Sequence, residues 1–252
     1  MKIIAVSNQK GGVAKTTTCI NLAAFIAKKH KVLVIDCDKQ ANLSLFFGME
    51  GAETTVNDMF LKRPFQVYKV GKNIDLVPSS IDFAGVDLLI QNELARETIL
   101  KKAIAKIKGD YDYILLDCPP DMNLVTVNAL TAAHYVIIPV QATQFSLDGV
   151  HIMVEFISGV RDSLNESLAL LGLLITHFDE RLNISKSISK NLKENDWESA
   201  LFKTKIRRNT AIEKSQLKHN RKTIFEYDQK SHGAIDYTKF GKEVLQKIKK
   251  YG

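Results

Sequence analysis

Five short apolar runs punctuate the chain: Ile3–Val6, Val32–Ile35, Tyr113–Leu116, Tyr135–Val140 and Leu168–Ile175. They are rich in Val, Ile and Leu and do not alternate with polar residues. That pattern predicts strands buried on both faces, hence a parallel sheet covered by helices. Helical stretches are expected between them at Thr17–Lys29, Leu94–Lys108 (closed by Gly109), Met122–Ala133, Leu147–Ser163 and Ile184–Asn195. The βαβα alternation predicts a doubly wound α/β fold with right-handed crossovers and helices on both faces. No repeat, low-complexity tract or Pro/Gly/Ser linker interrupts it, so residues 1–252 are expected to form one domain. At the end of the chain, Tyr237, Phe240, Val244, Ile248 and Tyr251 recur at helical spacing, the stripe of a helix packed on the domain.

Composition adds exclusions. Apolar residues make up 45% and charged residues 25% of 252 positions, the proportions of a globular protein. No apolar run approaches the ~18 residues of a membrane span. The amino terminus enters the predicted first strand directly, so secretion is not expected. The three cysteines, Cys19, Cys37 and Cys118, are too few and too dispersed for a disulfide or metal framework, which points to a reducing cytoplasm. Charge is uneven. Residues 181–252 hold 18 Lys/Arg against 8 Asp/Glu, whereas residues 1–180 hold 17 against 20. A basic last third suggests a polyanionic partner.

The densest chemistry lies at Lys10-Gly11-Gly12-Val13-Ala14-Lys15-Thr16-Thr17, between a predicted strand and a predicted helix. Small residues let backbone N–H groups converge on phosphate oxygens, and a helix N-terminus adds unpaired donors. Lys15 supplies a point charge to β- and γ-phosphates, the Thr16 hydroxyl a ligand for Mg²⁺, and Thr17 a contact for the α-phosphate. Gln9 and Ala14 stand where the strict G-x-x-x-x-G-K-[ST] pattern has glycines. Ala14 is therefore expected at negative φ, or slightly strained. Asp117 ends one apolar run at the carboxyl edge of the sheet, as a Walker B aspartate would to hold Mg²⁺ through water. Asp36 and Asp38 end another, and a period of two puts both on the side of the phosphates.

These segments together resemble a known family, the ParA-type (Soj-like) partition ATPases. Lys10 to Thr17 resembles the deviant Walker A loop with its second, signature lysine. Asp36-Cys37-Asp38-Lys39-Gln40-Ala41-Asn42 resembles the switch I element D-x-D-P-Q-x-N. Asp117-Cys118-Pro119-Pro120 resembles the Walker B and switch II region. Ile206-Arg207-Arg208-Asn209 resembles the I-P-R-N loop, and Ser231-His232-Gly233-Ala234 with Tyr237 the family's closing helix. The resemblance implies ATP and Mg²⁺ as cofactors, an ATP-sandwich homodimer, non-specific DNA binding on the nucleoid, and hydrolysis stimulated by a ParB-like centromere-binding partner. It implies that Lys10 reaches the partner subunit's phosphates, much as an arginine finger does in trans. Asp38 would orient the attacking water, Asp36 would support Mg²⁺, and Asn209 would lie near the adenine. Arg208 is the expected DNA contact, with Lys203, Lys205, Arg207, Lys214, Lys218, Arg221 and Lys222 around it. Lys39, Ala14 and Arg207 depart from the family pattern.

Three other readings share parts of this pattern. A MinD-like membrane ATPase shares the paired lysines but needs an amphipathic tail beyond the last core helix, and membrane binding is not expected. A ParA-like positioning ATPase for a non-DNA cargo would carry the same motifs. An iron–sulfur relative would need cysteines at a dimer face, whereas these three read as buried. With the first strand starting at Lys2, no amino-terminal operator-binding extension is expected.

Overall fold

In the computed structural model, residues 1–142, 147–183, 187 and 197–251 are described. Seven strands form one sheet: β1 Lys2–Val6, β2 Val32–Asp36, β3 Tyr68–Gly71, β4 Ile74–Val77, β5 Tyr113–Asp117, β6 Tyr135–Gln141 and β7 Ala169–Thr176. Their spatial order is β3-β4-β2-β5-β1-β6-β7, parallel except for the β3–β4 hairpin. All five apolar runs are strands, each within a residue of its predicted limits. The hairpin was not predicted, because its strands are four residues long and Tyr68–Gly71 is a half-exposed edge with no apolar run.

Alternate residues of the central strands enter two separate cores. Ile3, Leu33, Ile35, Ile114 and Leu116 face one, whereas Ile4, Val32, Val34 and Leu115 face the other. Both faces are apolar, which is why the strands read as unbroken hydrophobic runs. The first core is closed by helices α3 (Val56–Phe60), α5 (Ile99–Ile104), α6 (Leu124–Ala132) and α7 (Leu147–Ser163). The second is closed by α1 (Lys15–Ile26), α2 (Asn42–Phe46) and, near the carboxyl end, a short helix at Ile224–Tyr227 and a long one at His232–Tyr251. The remaining described α-helices are α4 (Val86–Ile90) and a turn and a half at Thr210–Ser215. In chain order the last three are α8 (Thr210–Ser215), α9 (Ile224–Tyr227) and α10 (His232–Tyr251).

The carboxyl-terminal stripe is buried as predicted: Tyr237, Phe240, Val244 and Ile248 lie in the core, and only Tyr251 is exposed. Gly241 lets α10 meet α1, since a Cβ there would sit 2.1 Å from the Phe25 ring. The three cysteines are buried thiols. Two expected helices differ. Leu94–Lys108 is a 3₁₀ turn at Arg96–Thr98 followed by α5, because Ala95 adopts a left-handed conformation (φ 53°) that cannot continue a helix and Leu94 points to solvent. Ile184–Asn195 falls, apart from residue 187, outside the described residues. No helix among the described residues is long and apolar enough to cross a membrane.

Candidate nucleotide site at the carboxyl edge of the sheet

The loop after β1 lies between the ends of β5 and β6, where the strand order reverses and open α/β sheets take their ligands. Its shape is fixed from outside. Asn8 donates through Nδ2 to the Pro139 carbonyl (2.7 Å), and its Oδ1 accepts from the Lys10 amide (3.0 Å). The Thr176 hydroxyl donates to the Val13 carbonyl at 3.2 Å. Gly12 and Ala14 both sit at positive φ, 74° and 68°. The second value corrects the expectation of negative φ at Ala14: the turn into α1 demands the left-handed conformation, and the methyl group bears the strain. The loop and the start of α1 line a cavity of about 700 Å³ that also touches Asp38, Pro120, His177 and Gln216.

Lys15 is buried at the base of the loop and donates from Nζ to the Lys10 carbonyl (3.0 Å). Burial lowers its pKa, opposed by the negative charges of Asp117 and Asp38. Lys10 itself is exposed on the outer side of the loop.

Strand register places Asp36 and Asp117 side by side at the ends of β2 and β5. Both are buried, and burial, reinforced by their mutual repulsion, drives the Asp117 pKa well above the ordinary carboxylate range. The Thr16 hydroxyl is near enough to favour its charge, yet neither Asp117 oxygen makes a hydrogen bond. Asp36 is treated differently. Its Oδ2 accepts from the Ser44 amide (2.9 Å) and hydroxyl (2.7 Å), and its Oδ1 from the Asp38 amide (3.1 Å). Burial still raises its pKa to about 6, the Ser44 bonds partly opposing. Asp36 therefore anchors the switch I loop to α2 and does not line the cavity, in contrast to the expectation that both aspartates face the phosphates. The strand ends at Asp36, so the period-two argument stops there. Asp38 does line the cavity and turns one oxygen to the Gln40 amide (2.9 Å). Lys39, at the family's proline position, pairs with Asp121 of switch II at 3.7 Å.

The basic residues divide. Arg208, Lys203, Lys214, Lys218 and Lys222 are exposed. Arg207 is held by both oxygens of the buried Asp236 (2.7 and 2.9 Å), Arg221 pairs with Glu50 beside the cavity, and Lys205 lies 4.2 Å from the centre of the Phe178 ring. These three make their contacts inside the protomer. Asn209 caps α8 by accepting from the Ala211 amide (2.9 Å) and lines a smaller pocket adjoining the cavity. Ser44, His177 and Gln216 were not singled out in the sequence. His177 carried a signal, as the residue that follows an apolar run at the same sheet edge as Asp38 and Cys118.

Comparison with known proteins places this arrangement. A family described as AAA domain matches residues 1–170. The sporulation initiation inhibitor protein Soj of Bacillus subtilis is 38% identical over 250 residues, covering 96% of this chain and 98% of that protein. The chromosome partitioning protein ParA of Caulobacter vibrioides is 34% identical, covering 98% and 95%. Among solved structures, cobyrinic acid a,c-diamide synthase from Mycobacterium smegmatis, with bound ATP analog and magnesium, superposes with a TM-score of 0.86 at 31% identity over 99% of this chain and 96% of that one. A putative plasmid partition protein from Borrelia burgdorferi bound to AMPPNP gives 0.81 at 26% identity over 99% and 98%. With 34–38% identity over nearly the whole length of these relatives, the chain belongs to the ParA/Soj group of partition ATPases within the AAA domain family.

Proposed function

We propose that residues 1–252 form one P-loop ATPase domain that binds ATP with Mg²⁺, dimerises on it, holds DNA without sequence preference, and hydrolyses ATP when a ParB-like partner engages. The observation that carries this reading is the division of the two loop lysines: Lys15 is buried among Asp38 and Asp117, whereas Lys10 on the same loop is exposed.

The residues fit the cofactors. Gly11 to Thr17 would cradle the phosphates, with Lys15 exchanging a neutral carbonyl for phosphate oxygens. Asp117, buried with both oxygens unpaired, suits a hydrated cation, and the Thr16 hydroxyl offers a direct ligand. Mg²⁺ there supplies charge neutralisation on the β- and γ-oxygens. Asp38 would orient water for in-line attack. Lys10 from the second subunit would neutralise charge as the γ-phosphoryl leaves.

Arg208, with Lys203, Lys214, Lys218 and Lys222, would contact DNA phosphates, keeping the protein on the nucleoid in the cytoplasm. The apolar stripe of α10 is spent on the core, which favours DNA over a membrane as the polyanion.

Gel filtration with ATP and Mg²⁺, with and without duplex DNA, tests this on wild type and Asp38→Ala. The variant is expected to accumulate as a nucleotide-loaded dimer that co-elutes with DNA. Monomers under every condition would refute the reading.

A further inference from the structure

The cavity is lined by His177 and Gln216 as well as by Asp38 and Pro120. A smaller pocket of about 80 Å³ shares Thr17, His177 and Gln216 with it and is further lined by the apolar side chains of Ile206, Ile212 and Tyr237. Two buried polar atoms in this region have no partner: His177 Nδ1 and Gln216 Nε2. Buried polar groups are ordinarily satisfied, and a pair of orphans at one pocket mouth calls for a ligand.

Their orientation is imposed by the fold. The Thr17 hydroxyl, one residue beyond Thr16, donates to Gln216 Oε1 at 3.1 Å. That contact consumes the acceptor of the amide and leaves Nε2 as a donor. His177 follows the last residue of β7 with φ 50°, a conformation unusual for a side chain of this size. The backbone around it is clamped, with the Phe178 amide donating to the Ile206 carbonyl (3.0 Å) and the Arg208 amide to the Phe178 carbonyl (2.9 Å). His177 so held lines both the cavity and the smaller pocket. Burial lowers the imidazole pKa, with Arg208 acting the same way and Glu213 opposing.

A ligand that satisfies these groups must be flat enough for the apolar backing and must carry hydrogen-bond acceptors on an edge. A purine base meets both requirements, with its phosphates on the Gly11 to Thr17 segment that lines the same cavity. We propose that Gln216 and His177 read the edge of the nucleotide base, Gln216 donating from Nε2 to a ring nitrogen while Thr17 fixes the amide's orientation. The proposal rests on the nucleotide reading above and adds to it the residues that select the base.

Binding of ATP, 1-deaza-ATP, 3-deaza-ATP and 7-deaza-ATP, each with Mg²⁺, to wild type, Gln216→Glu and His177→Phe tests it by calorimetry. Gln216→Glu keeps the acceptor for Thr17 and deletes the donor. One analogue is expected to bind wild type about fivefold to tenfold more weakly than ATP, the scale of one lost hydrogen bond. In Gln216→Glu that difference should vanish, while inorganic triphosphate binds both proteins alike. Wild type binding all three analogues as tightly as ATP overturns the base contact and leaves the nucleotide site intact. A discrimination that survives in both variants assigns it to other residues and also overturns the proposal. Wild type binding neither ATP nor triphosphate would instead refute the nucleotide reading.

Discussion

Lys15 Nζ donates to the backbone carbonyl of Lys10, 3.0 Å away, so the buried lysine of the P-loop is tied to the very residue that carries the outward lysine. The contact joins the two halves of the proposed chemistry. Phosphate oxygens would compete with a neutral carbonyl for the Lys15 ammonium, and charge-assisted bonds win that competition. Lys15→Ala is expected to weaken Mg²⁺-ATP binding at least about a hundredfold, since charged hydrogen bonds are worth ~1.5–3 kcal/mol each. Equilibrium titration with a fluorescent ATP analogue checks this.

Lys10→Ala should separate binding from assembly. Its side chain is exposed on the loop, so nucleotide affinity of the protomer should change by less than about threefold, within the range of an exposed charge contact. The ATP-dependent dimer should be lost in light scattering. A variant that dimerises and turns over like wild type would remove Lys10 from the trans role.

Asp117 is a site where stability is given up for binding. Its carboxylate is buried without a hydrogen bond beside Asp36, and burial disfavours its charge. A raised folded-state pKa means that this group costs stability once pH climbs above the ordinary carboxylate range, and costs none below it. At pH 7 without nucleotide or metal, Asp117→Asn is therefore expected to raise the melting temperature, by about 3 °C if the relief is ~1 kcal/mol. The stabilisation conferred by Mg²⁺-ATP on wild type should be absent in the variant. Thermal melts with ATP in EDTA against ATP in Mg²⁺ make the comparison.

Ala14 holds φ 68° at the entry to α1. Left-handed backbone costs a residue with a Cβ ~1–2 kcal/mol, and glycine's extra freedom in the unfolded chain returns about half of that. Ala14→Gly should stabilise the protein by about 0.5–1 kcal/mol in urea unfolding, with an unchanged m-value. A destabilised variant would show that the methyl group packs usefully.

Arg207 and Arg208 are adjacent and should behave oppositely. Arg207 is bidentate on Asp236, which is 5% exposed, so Arg207→Ala leaves a buried carboxylate without its counter-charge, holding only the residue-207 amide, and is expected to cost about 3 kcal/mol. Arg208→Ala should leave the melting temperature unchanged and weaken DNA binding uniformly across sequences. If each protomer of a dimer loses one phosphate contact, the slope of log K against log salt should fall by about 2. Electrophoretic retardation over a salt series and parallel thermal melts distinguish the two.

Much of this protein is legible in the chain, for local reasons. Strands buried on both faces must be unbroken apolar runs, so the sheet's core strands declared themselves. A phosphate loop needs small residues, a lysine and a hydroxyl in immediate succession, so Lys10 to Thr17 declared itself too. The stripe from Tyr237 to Ile248 needed only helical spacing to show which face is buried. The hairpin of β3 and β4 left no such mark, because a short edge strand is stabilised by its neighbour more than by its own residues.

What the tertiary structure alone decided is how side chains distant in sequence share out their hydrogen bonds. Asp36, Asp38 and Asp117 are the same residue type, two at the ends of adjacent strands and Asp38 two residues beyond Asp36. Ser44 satisfies the first, the Gln40 amide meets the second, and nothing meets the third, so their chemistry diverges. Arg207 and Arg208 differ in the same way, because Asp236 on α10 lies within reach of one of them. Periodicity depends on a residue's neighbours along the chain and is written there. Protonation, exposure and free valence depend on neighbours in space, which only the packed fold supplies.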